Sequence, residues 1–445
     1  MNSFPDNFLW GAATSAYQVE GSPLADGAGP SIWHQYSHSP GKIYNGDTGN
    51  TACDHYRRYR QDVQLMQGLG LNAYRFSVAW GRVLPEGRGR VNGKGLDFYQ
   101  RLVDALLEGG MEPFVTLYHW DLPLALDQQG GWLNRDSAAW FGDYAELVFR
   151  ALDDRVRFWT TLNEPWVIAH LGHLQGLHPP GRANLTEMPL VSHHLLRAHA
   201  RAVEAYRAMG RGQIGIAVNL EPQYAASEAA EAGAARDRAH AYLNQYYLDP
   251  ILLGHYPECM GEIFGEAWQE FSADEVQSLR QPIDFVGINY YSRSVVQHCL
   301  ETQPTRAARV RQADRLHTEL DWEVYPAGLL DTLLWVKGRY GDLPLYLTEN
   351  GAAFADPPVT DGRVDDPLRV AYLRDHLLHA HQAIRQGVNL RGYFVWSLLD
   401  NFEWQHGYSK RFGIVHVDFE TQQRTLKQSA EFYRRVIESR GRILL

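Results

Sequence analysis

The stretch Phe-Trp-Thr-Thr-Leu-Asn-Glu-Pro, residues 158–165, does most to decide the fold of this 445-residue sequence. Its length and apolar character are those of a strand buried on both faces. Glu164 would close the strand, because Pro165 has no backbone N–H to donate to a sheet ladder. A carboxylate buried without a partner or a task lowers stability. The stretch therefore predicts a buried strand that carries an acid at its carboxyl end.

The stretch Leu-Tyr-Leu-Thr-Glu-Asn-Gly, residues 345–351, repeats this arrangement. Its acid is Glu349, and the turn signal Asn-Gly that follows ends the strand. Either acid taken alone could equally cap a loop or pair with an arginine. Two acids at strand ends are what glycoside hydrolysis requires, one to protonate the leaving oxygen and one to attack or to activate water. The pair therefore favours a glycosidase.

Apolar runs of this kind alternate with amphipathic stretches along the whole chain. The runs predict strands over 9–15, 73–79, 113–118, 158–163, 213–219, 285–289, 345–348 and 392–397. Helical spacing predicts helices over 53–70, 97–109, 136–152, 186–209, 328–341, 367–387 and 426–439. The alanine-rich piece 225–241 is also expected to be helical, and 298–325 is expected to be a long loop. This alternation predicts an α/β protein, a (β/α)8 TIM barrel.

The alternative is an open, doubly wound sheet. It is disfavoured because no Gly-x-Gly-x-x-Gly turn follows the first strand. No composition break or linker divides the chain, so residues 1–445 are predicted to form a single catalytic barrel domain. In such a barrel the active site lies at the C-terminal ends of the strands.

Composition excludes several classes of partner. The net charge of −10 argues against nucleic acid or an anionic membrane, and no apolar run approaches the ~20 residues that span a bilayer. The first residues show no basic or apolar signal region, so a cytoplasmic protein is expected. Cys53, Cys259 and Cys299 lack metal-like spacing and are expected to be free thiols. The 13 Trp, 24 Tyr and 17 Phe provide flat surfaces that suit sugar rings.

Polar and aromatic residues collect where the predicted strands end. They are Gln18, Arg75, His119, Trp120, Asn163, Glu164, Asn289, Tyr291, Glu349 and Trp396. Groups of this kind are difficult to explain as core, because each needs a hydrogen-bond partner or an open face. They are typical of a site for a polyhydroxylated ring.

Eight fragments, in order along the chain, carry a family resemblance. They are FLWGAATSAYQVEG at 8–21, YRFS at 74–77, LYHWDLP at 117–123, TLNEP at 161–165, VGINYY at 286–291, LTENG at 347–351, WSLLDNFEW at 396–404 and RFG at 411–413. On these fragments the chain resembles glycoside hydrolase family 1 from end to end, and within it the bacterial β-glucosidases. The order of the fragments makes the resemblance specific, and no position that the family uses for catalysis departs from it.

The resemblance implies hydrolysis with retention through a covalent glycosyl-enzyme. Glu349 would be the nucleophile, and Glu164 the acid that later becomes the base. Retention places the two carboxyls about 5–5.5 Å apart. Two carboxyls so close do not both ionise easily, so the pKa of Glu164 is expected to be raised. Glu349 must stay ionised, and Arg75 is the candidate supporting cation, with a structural ion pair low in the barrel as its alternative role.

The resemblance also implies which residues bind the sugar. They are Gln18, His119, Trp120, Asn163, Asn289, Tyr291, Trp396, Glu403 and Trp404. Asn163 is expected to bind the 2-hydroxyl, Asn289 to support the acid or that same region, and Tyr291 to donate its hydroxyl to Glu349. Glu403 is expected to be an ionised carboxylate that accepts from O4 and O6.

Four tryptophans are assigned to the pocket by the same resemblance. Trp396 and Trp404 are expected to form its floor and wall, with a cis peptide between Trp396 and Ser397. Trp166 and Trp322 are candidates for the aglycone side, and either could instead belong to the core. No metal and no cofactor is expected, because carboxylates supply both the proton and the nucleophile.

The expected ligand is a small-molecule β-glucoside or a short oligosaccharide, in the context of cellulose degradation. A 6-phospho-β-glycosidase of the same family is expected to carry Ser, Lys and Tyr on the strand-eight loop, where this chain has Glu403 and Trp404. A sugar-binding pseudoenzyme is expected to have lost one of the two glutamates. The sequence leaves open the preference among glucose, galactose and fucose, the balance with transglycosylation, and whether the chain forms a homo-oligomer.

Overall fold

The computed structural model describes residues 3–444, and eight of its strands close into a parallel barrel. The strands within this range are β1 (Leu9–Ala13), β2 (Ala73–Ser77), β3 (Glu112–Tyr118), β4 (Phe158–Asn163), β5 (Gln213–Asn219), β6 (Gln223–Ala225), β7 (Phe285–Asn289), β8 (Ser294–His298), β9 (Ala307–Arg309), β10 (Leu345–Asn350), β11 (Leu390–Trp396), β12 (Val415–Val417) and β13 (Arg424–Leu426). The barrel order is β1-β2-β3-β4-β5-β7-β10-β11, and β11 pairs back with β1. The predicted (β/α)8 barrel is confirmed.

Helices follow the barrel strands and cover the outside of the sheet. In the described part of the chain they are α1 (Ala16–Val19), α2 (Ile32–Ser37), α3 (His55–Gly68), α4 (Trp80–Val83), α5 (Gly93–Glu108), α6 (Leu124–Asp127), α7 (Ser137–Leu152), α8 (Pro165–Ala169), α9 (Glu187–Met209), α10 (Ala230–His240), α11 (Leu248–Leu252), α12 (Met260–Phe264), α13 (Ala273–Ser278), α14 (Ala327–Tyr340), α15 (Pro367–Arg385) and α16 (Gln428–Glu438). Single π-helical turns occur at His170–Leu174 and Ala241–Gln245.

The predicted elements differ from the observed ones mainly outside the barrel strands. Helix α5 begins at Gly93, earlier than predicted, and its first residues, Gly-Lys-Gly, lack the apolar spacing from which the helix was predicted. The piece 225–241 is helical only from Ala230, and 298–325 contains β9. Strands β6, β8 and β9 form a separate three-stranded sheet, whose short, half-exposed strands lack a clear apolar period.

The inside of the barrel is filled by aromatic side chains. The ring of Phe114 on β3 lies 5.3 Å from that of Phe285, 5.4 Å from that of Tyr346 and 5.1 Å from that of Phe394, centroid to centroid. These rings come from β7, β10 and β11, so the cluster joins strands on opposite sides of the barrel. A filled interior leaves the carboxyl ends of the strands as the place for a pocket.

A buried network of six charges supports the strand-eight side of the barrel. Its members are Asp356, Asp366, Arg369, Asp400, Arg411 and Lys427, three acids and three bases. Lys427 Nζ lies 2.5 Å from Asp356 Oδ2 and 2.7 Å from Asp400 Oδ1, and its side chain is 0 % exposed. Because the opposite charges balance, the network can remain buried.

No helix among residues 3–444 is long and apolar enough to cross a membrane.

Removing the ammonium group of Lys427 should destabilise the fold strongly. Lys427→Met leaves Asp356 and Asp400 with unbalanced buried charge, which costs about 3–5 kcal/mol of unfolding free energy. Urea or guanidinium unfolding measures this change. Arg434→Met is the matched control, since the ion pair of Arg434 with Glu438, at 3.9 Å, is exposed and its loss should change stability by no more than ~0.5 kcal/mol. Similar small losses in both variants would contradict the role given to the network.

Candidate active site

The carboxyl ends of the barrel strands surround one cavity of about 840 Å³. Among the residues predicted from the sequence, its walls contain Trp120, Glu164, Trp166, Asn289, Tyr291, Trp322, Glu403 and Trp404. The other predicted residues adjoin these walls through hydrogen bonds or ring contacts, and they are Gln18, Arg75, His119, Asn163, Glu349 and Trp396. The structure therefore brings all of the predicted site residues together.

Glu349 on β10 is buried, and each of its carboxyl oxygens accepts a hydrogen bond. Arg75 Nη1 donates to Oε1 at 2.6 Å, and the Tyr291 hydroxyl donates to Oε2 at 2.6 Å. Burial raises the pKa of Glu349, whereas the charge of Arg75 and the hydroxyl of Tyr291 act to lower it. Both expected contacts are present, and together they fix the orientation of this carboxyl group.

Arg75 on β2 is fully buried and connects three other strands. Its Nη2 donates to Asn163 Oδ1 on β4 at 2.6 Å, and its Nε donates to Thr116 Oγ1 on β3 at 3.2 Å. Its Nη1 donates to Glu349 Oε1 at 2.6 Å and to the Thr348 carbonyl at 3.2 Å, both on β10. A rigid guanidinium fork held at this many points places its charge beside one carboxylate with little freedom to move.

The contacts of Asn163 determine the protonation of His119. Asn163 Oδ1 accepts from Arg75 and from Asn289 Nδ2 at 3.0 Å, so its Nδ2 is the donor to His119 Nε2 at 3.2 Å. Nε2 is then an acceptor, and the proton of the neutral ring lies on Nδ1, which is buried without a partner. Burial, and secondarily the charge of Arg75, holds the pKa of His119 well below its usual range. His119 therefore offers a free N–H donor.

Glu164, directly after β4, is the second buried acid. Asn289 Nδ2 donates to its Oε1 at 2.7 Å, and Thr348 Oγ1 donates to Asn289 Oδ1 at 2.6 Å, which fixes the amide orientation. Burial, followed by the nearby charge of Glu349, raises the pKa of Glu164 to about 8. The expected direction is confirmed, but desolvation contributes more to the shift than the neighbouring carboxyl does. A pKa raised in this way favours the protonated form of this carboxyl group near neutral pH.

Glu403 differs from the expectation that it is an ionised carboxylate. Burial, followed by the charge of Glu349, raises its pKa to about 8, and the only opposing contact is Gln18 Nε2 at 3.4 Å from Oε2. Gln18 Nε2 also donates to Asn401 Oδ1 at 3.1 Å and to the Phe402 carbonyl at 3.0 Å. The sequence showed the carboxyl group but could not show the loss of water around it. A pKa of about 8 favours the protonated form of Glu403 at neutral pH.

Aromatic rings form a continuous surface beside these polar groups. The ring of Trp404 lies 4.7 Å from that of Trp120 and 4.4 Å from that of Trp33. Trp396 stacks on His119 with ring centroids 5.8 Å apart and planes 14° from parallel. Trp120 Nε1 donates to the Asn163 carbonyl at 2.9 Å, so its N–H group is already used within the protein.

Trp166 and Trp322 both lie in the cavity wall, and both also pack against the hydrophobic core. Trp166 is half-buried and stacks on His170 at 4.1 Å between ring centroids. Trp322 is also half-buried and lies 5.2 Å from the ring of Tyr291. Their exposed faces are available to a group that extends outward from the buried acids.

The backbone is unusual at three residues that line the pocket. Trp120, Glu164 and Trp404 have positive φ angles of 75°, 48° and 46°. Non-glycine residues in this region cost about 1–3 kcal/mol each and persist only where the surroundings impose them. The Trp396–Ser397 peptide is cis, as the resemblance implied.

Several residues of the cavity were not identified from the sequence. They are His178, Glu221, Tyr242, Ser294, Arg309 and, behind Gln18, Asn401. Asn401 could have been suspected, because it lies in the fragment WSLLDNFEW between Asp400 and Glu403. The others lie in irregular loops or in short elements outside the barrel, where neither spacing nor a strand end marks them.

No group of three or more His, Cys, Asp or Glu side chains within residues 3–444 is arranged to hold a metal ion. The pocket groups with free hydrogen-bonding capacity are carboxyl, imidazole and amide groups, which suit hydroxyl ligands.

Comparison with known proteins agrees with this geometry. The profile of Glycosyl hydrolase family 1 matches residues 1–442. The chain is 50 % identical to Beta-glucosidase A of Thermotoga maritima and 49 % identical to 1,4-beta-D-glucan glucohydrolase of Thermotoga neapolitana, in both cases over 99 % of each chain. It superposes with a TM-score of 0.96 and 50 % identity on the beta-glucosidase from Thermotoga maritima in complex with glucoimidazole, covering 99 % of this chain and 100 % of that chain.

The match extends over nearly the whole chain, and the barrel strand ends bring both glutamates to one pocket. The chain belongs to glycosyl hydrolase family 1.

Proposed function

We propose that this chain is a retaining β-glucosidase that releases terminal non-reducing β-D-glucosyl residues from aryl or alkyl β-glucosides and from cellobiose-like oligosaccharides. The observation that carries the proposal is the pair of buried glutamates in unlike surroundings. Glu349 lies against a guanidinium, whereas Glu164 lies against a carboxamide. Environments that separate two carboxyl groups in this way assign one to the ionised role and the other to the acid role. The names of the two Thermotoga relatives support the class of substrate.

In the first step Glu349 attacks the anomeric carbon from the face opposite the leaving group. The bond from that carbon to the glycosidic oxygen breaks, and Glu164 gives its proton to the departing oxygen. The charge of Arg75 and the hydroxyl of Tyr291 keep Glu349 ionised and oriented. Burial raises the pKa of Glu164 to about 8, which favours the protonated form that this step needs.

In the second step water replaces the leaving group. Glu164, now a carboxylate, takes a proton from this water as its oxygen attacks the anomeric carbon, and the bond to Glu349 breaks. The product keeps the β configuration, because each step inverts the carbon once. Glu164 regains its proton and the cycle closes.

The remaining pocket groups are proposed to bind the glucosyl ring. Asn163 and the free Nδ1–H of His119 suit hydroxyls near the anomeric end, and Gln18 and Glu403 suit those at the far end. A mainly protonated Glu403 can donate one hydrogen bond as well as accept others. Trp404 offers an apolar face to the ring carbons.

The proposal also covers domain organisation, location, aglycone contacts, cofactors and assembly. Residues 1–445 act as a single catalytic barrel domain. The enzyme works in the cytoplasm, on small sugars released during cellulose degradation. Trp166 and Trp322 contact the aglycone, in keeping with their positions in the cavity wall. No metal or cofactor takes part. A homo-oligomer is compatible with the same pocket.

Glu349→Ala should lower kcat/KM for an aryl β-glucoside by a factor on the order of 10⁴–10⁶, the scale seen when a nucleophile is removed. Added azide should restore turnover and give the α-glycosyl azide, because the small anion attacks from the side that Glu349 vacates. Product analysis by NMR checks the configuration. Glu164→Ala is the matched control and should give the β-azide. The β-azide from Glu349→Ala, or rescue only at Glu164, would reverse the assignment.

The pH profile of kcat/KM should be bell-shaped. Glu164 must be protonated to act, so its raised pKa keeps activity up to pH of about 8 and activity falls above it. Glu349 must be ionised to attack, so activity also falls on the acid side. Because burial raises the pKa of Glu349, the midpoint of this acid limb should lie above the ordinary pKa of a glutamate.

Glu164→Gln should remove the alkaline limb for substrates with good leaving groups, as measured by initial rates across pH. Glu403→Gln is the control, because the pKa of Glu403 is also about 8. Replacing Glu403 should leave the alkaline limb in place, since that limb reports Glu164. If the Glu164→Gln variant kept the alkaline limb unchanged, another group would be the proton donor.

The enzyme should ignore 6-phospho-β-glucosides. The carboxyl group of Glu403 would face the phosphate, and Arg75, the buried cation of the pocket, is already bonded to Glu349 and Asn163. The kcat/KM for nitrophenyl β-glucoside should exceed that for its 6-phosphate at least about tenfold, because the pocket would bury the phosphate charge without a free cation to pair with it. A preference for the phosphate would overturn the assignment of the strand-eight loop.

A further inference from the structure

Thr348 is fully buried on β10, directly before Glu349, and the proposed reaction gives its side chain no role. Leu347 pairs with Ile288 of β7. Glu349 pairs with the next residue of that strand, Asn289. Two steps along β10 therefore match one step along β7, and Thr348 is the extra residue of a β-bulge. Bulges occur next to active sites, where they redirect a side chain.

The bulge brings the side chain of Thr348 close to β7. A Cβ atom at Gly287 would lie 2.7 Å from Thr348 Cγ2 and 2.9 Å from its Oγ1, closer than such atoms approach in proteins. Gly287 therefore leaves the room that this side chain occupies. From this position the Thr348 hydroxyl donates to Asn289 Oδ1 at 2.6 Å. The close approach of the two strands thus places the hydroxyl against Asn289.

Both ends of the Asn289 amide are bonded. Its Nδ2 donates to Glu164 Oε1 at 2.7 Å and to Asn163 Oδ1 at 3.0 Å. Asn163 Oδ1 must be an acceptor, because Arg75 Nη2 also donates to it at 2.6 Å. The amide therefore turns Nδ2 toward Glu164, and the Thr348 hydroxyl satisfies Oδ1 on the other side.

This orientation decides which oxygen of Glu164 carries the proton. Oε1 accepts from Asn289, so in the protonated form the hydrogen lies on Oε2. Asn289 is the one hydrogen-bond partner of the Glu164 side chain among residues 3–444, so Oε2 remains free for a ligand in the cavity. A reversed amide would instead accept the proton from Oε1 and hold it in the wall.

The backbone of Thr348 contacts the support of the other acid. Its carbonyl accepts from Arg75 Nη1 at 3.2 Å, and the same nitrogen donates to Glu349 Oε1 at 2.6 Å. Thr348 therefore touches Arg75 through its carbonyl and Asn289 through its hydroxyl. A substitution of the side chain leaves the carbonyl in place, so it changes the support of Glu164 and not that of Glu349.

The titratable and charged groups that face Glu164 come from several elements. They are Glu349 on β10, Glu403 on the strand-eight loop, Tyr291 after β7, Arg75 on β2, His119 after β3, and His170 and His178 after α8. Burial lowers the pKa of all three histidines, so they are neutral on the alkaline side of the pH profile. Thr348 is uncharged, so replacing its hydroxyl reaches Glu164 through the Asn289 contact and not through a change of charge.

We propose that Thr348 is a positioning residue for the proton donor: its hydroxyl holds the Asn289 amide with Nδ2 on Glu164 Oε1, and so keeps the transferable proton on Oε2. The proposal rests on the proposed function, in which Glu164 is first the acid and then the base. Thr348 touches neither the sugar nor the reacting atoms and acts through Asn289.

Thr348→Val keeps the shape of the side chain and removes the donor. Asn289 Oδ1 is then buried without its partner, so the amide turns toward another donor and its bond to Glu164 weakens. That bond favours the carboxylate, so its weakening raises the pKa of Glu164. The alkaline limb of kcat/KM for nitrophenyl β-glucoside should therefore move up by about one pH unit, the scale of one hydrogen bond to a charged group.

The loss of activity should depend on the leaving group. In Thr348→Val, kcat/KM at neutral pH should fall about tenfold for methyl β-glucoside, whose leaving oxygen needs a proton. It should stay within about threefold of wild type for dinitrophenyl β-glucoside, whose leaving group departs without one. A general disturbance of the pocket would lower both values alike.

Thr160→Val is the matched control, because Thr160 is also fully buried on a barrel strand, β4, and its Oγ1 has no hydrogen-bond partner among the described residues. It should leave the alkaline limb in place and both rates within about twofold of wild type. Thr348→Ser keeps the hydroxyl and should keep the wild-type limb. Thr348→Ala removes the hydroxyl by a different change of shape and should move the limb as Thr348→Val does. Thermal unfolding checks that each variant is folded.

A double-variant cycle tests whether Thr348 acts through Asn289. Asn289→Ala removes the donor to Glu164 and should move the alkaline limb up at least as far as Thr348→Val does. Adding Thr348→Val to Asn289→Ala should then move it no further, because the two residues act in series.

Two outcomes would overturn the inference while leaving the proposed function intact. One is a folded, active Thr348→Val or Thr348→Ala variant whose alkaline limb stays at the wild-type pH. The other is an equal further shift when Thr348→Val is added to Asn289→Ala. A wild-type protein that cleaves no β-glucoside, or a Glu164→Gln variant that keeps the alkaline limb, would overturn the proposed function, and the inference with it.

Discussion

The geometry of the active site depends on one buried guanidinium. Arg75 is bonded to Glu349 at 2.6 Å and to Asn163 at 2.6 Å, and Asn163 in turn determines which nitrogen of His119 carries the proton. A buried cation needs carboxylate or carbonyl partners, and a buried carboxylate needs a cation. By satisfying Glu349 and leaving Glu164 to an amide, Arg75 separates two otherwise similar acids.

The far end of the pocket depends on a second set of buried charges. Asp400 accepts from Lys427 Nζ at 2.7 Å, from Arg411 Nη1 at 2.7 Å and from the Gly413 amide at 3.0 Å. The next residue, Asn401, accepts from Gln18, so the charge network fixes the loop on which Glu403 lies. Stability and the geometry of the pocket are thus coupled on this side of the barrel.

The barrel and its inner site could be predicted from the sequence because buried parallel strands appear as short apolar runs with functional groups at their ends. The strand Phe158–Asn163 was predicted to the residue, and Glu164 directly follows it. Two properties could not be predicted. The protonation of Glu403 depends on water excluded by distant segments, and the meeting of Glu221, Ser294 and Arg309 depends on loops whose paths have no periodic pattern.

The pairing of β1 with β11 has a consequence for synthesis of the chain. Ala13 lies in register with Trp396, and Gln18 Nε2 reaches Asn401, 383 residues later. A ribosome adds about 5–20 residues per second, so β1 waits tens of seconds without its partner strand. During that time it presents an unpaired edge that other chains can bind. The pocket at the strand ends is among the last parts to form, and truncated chains that end before β11 can neither close the barrel nor complete the pocket.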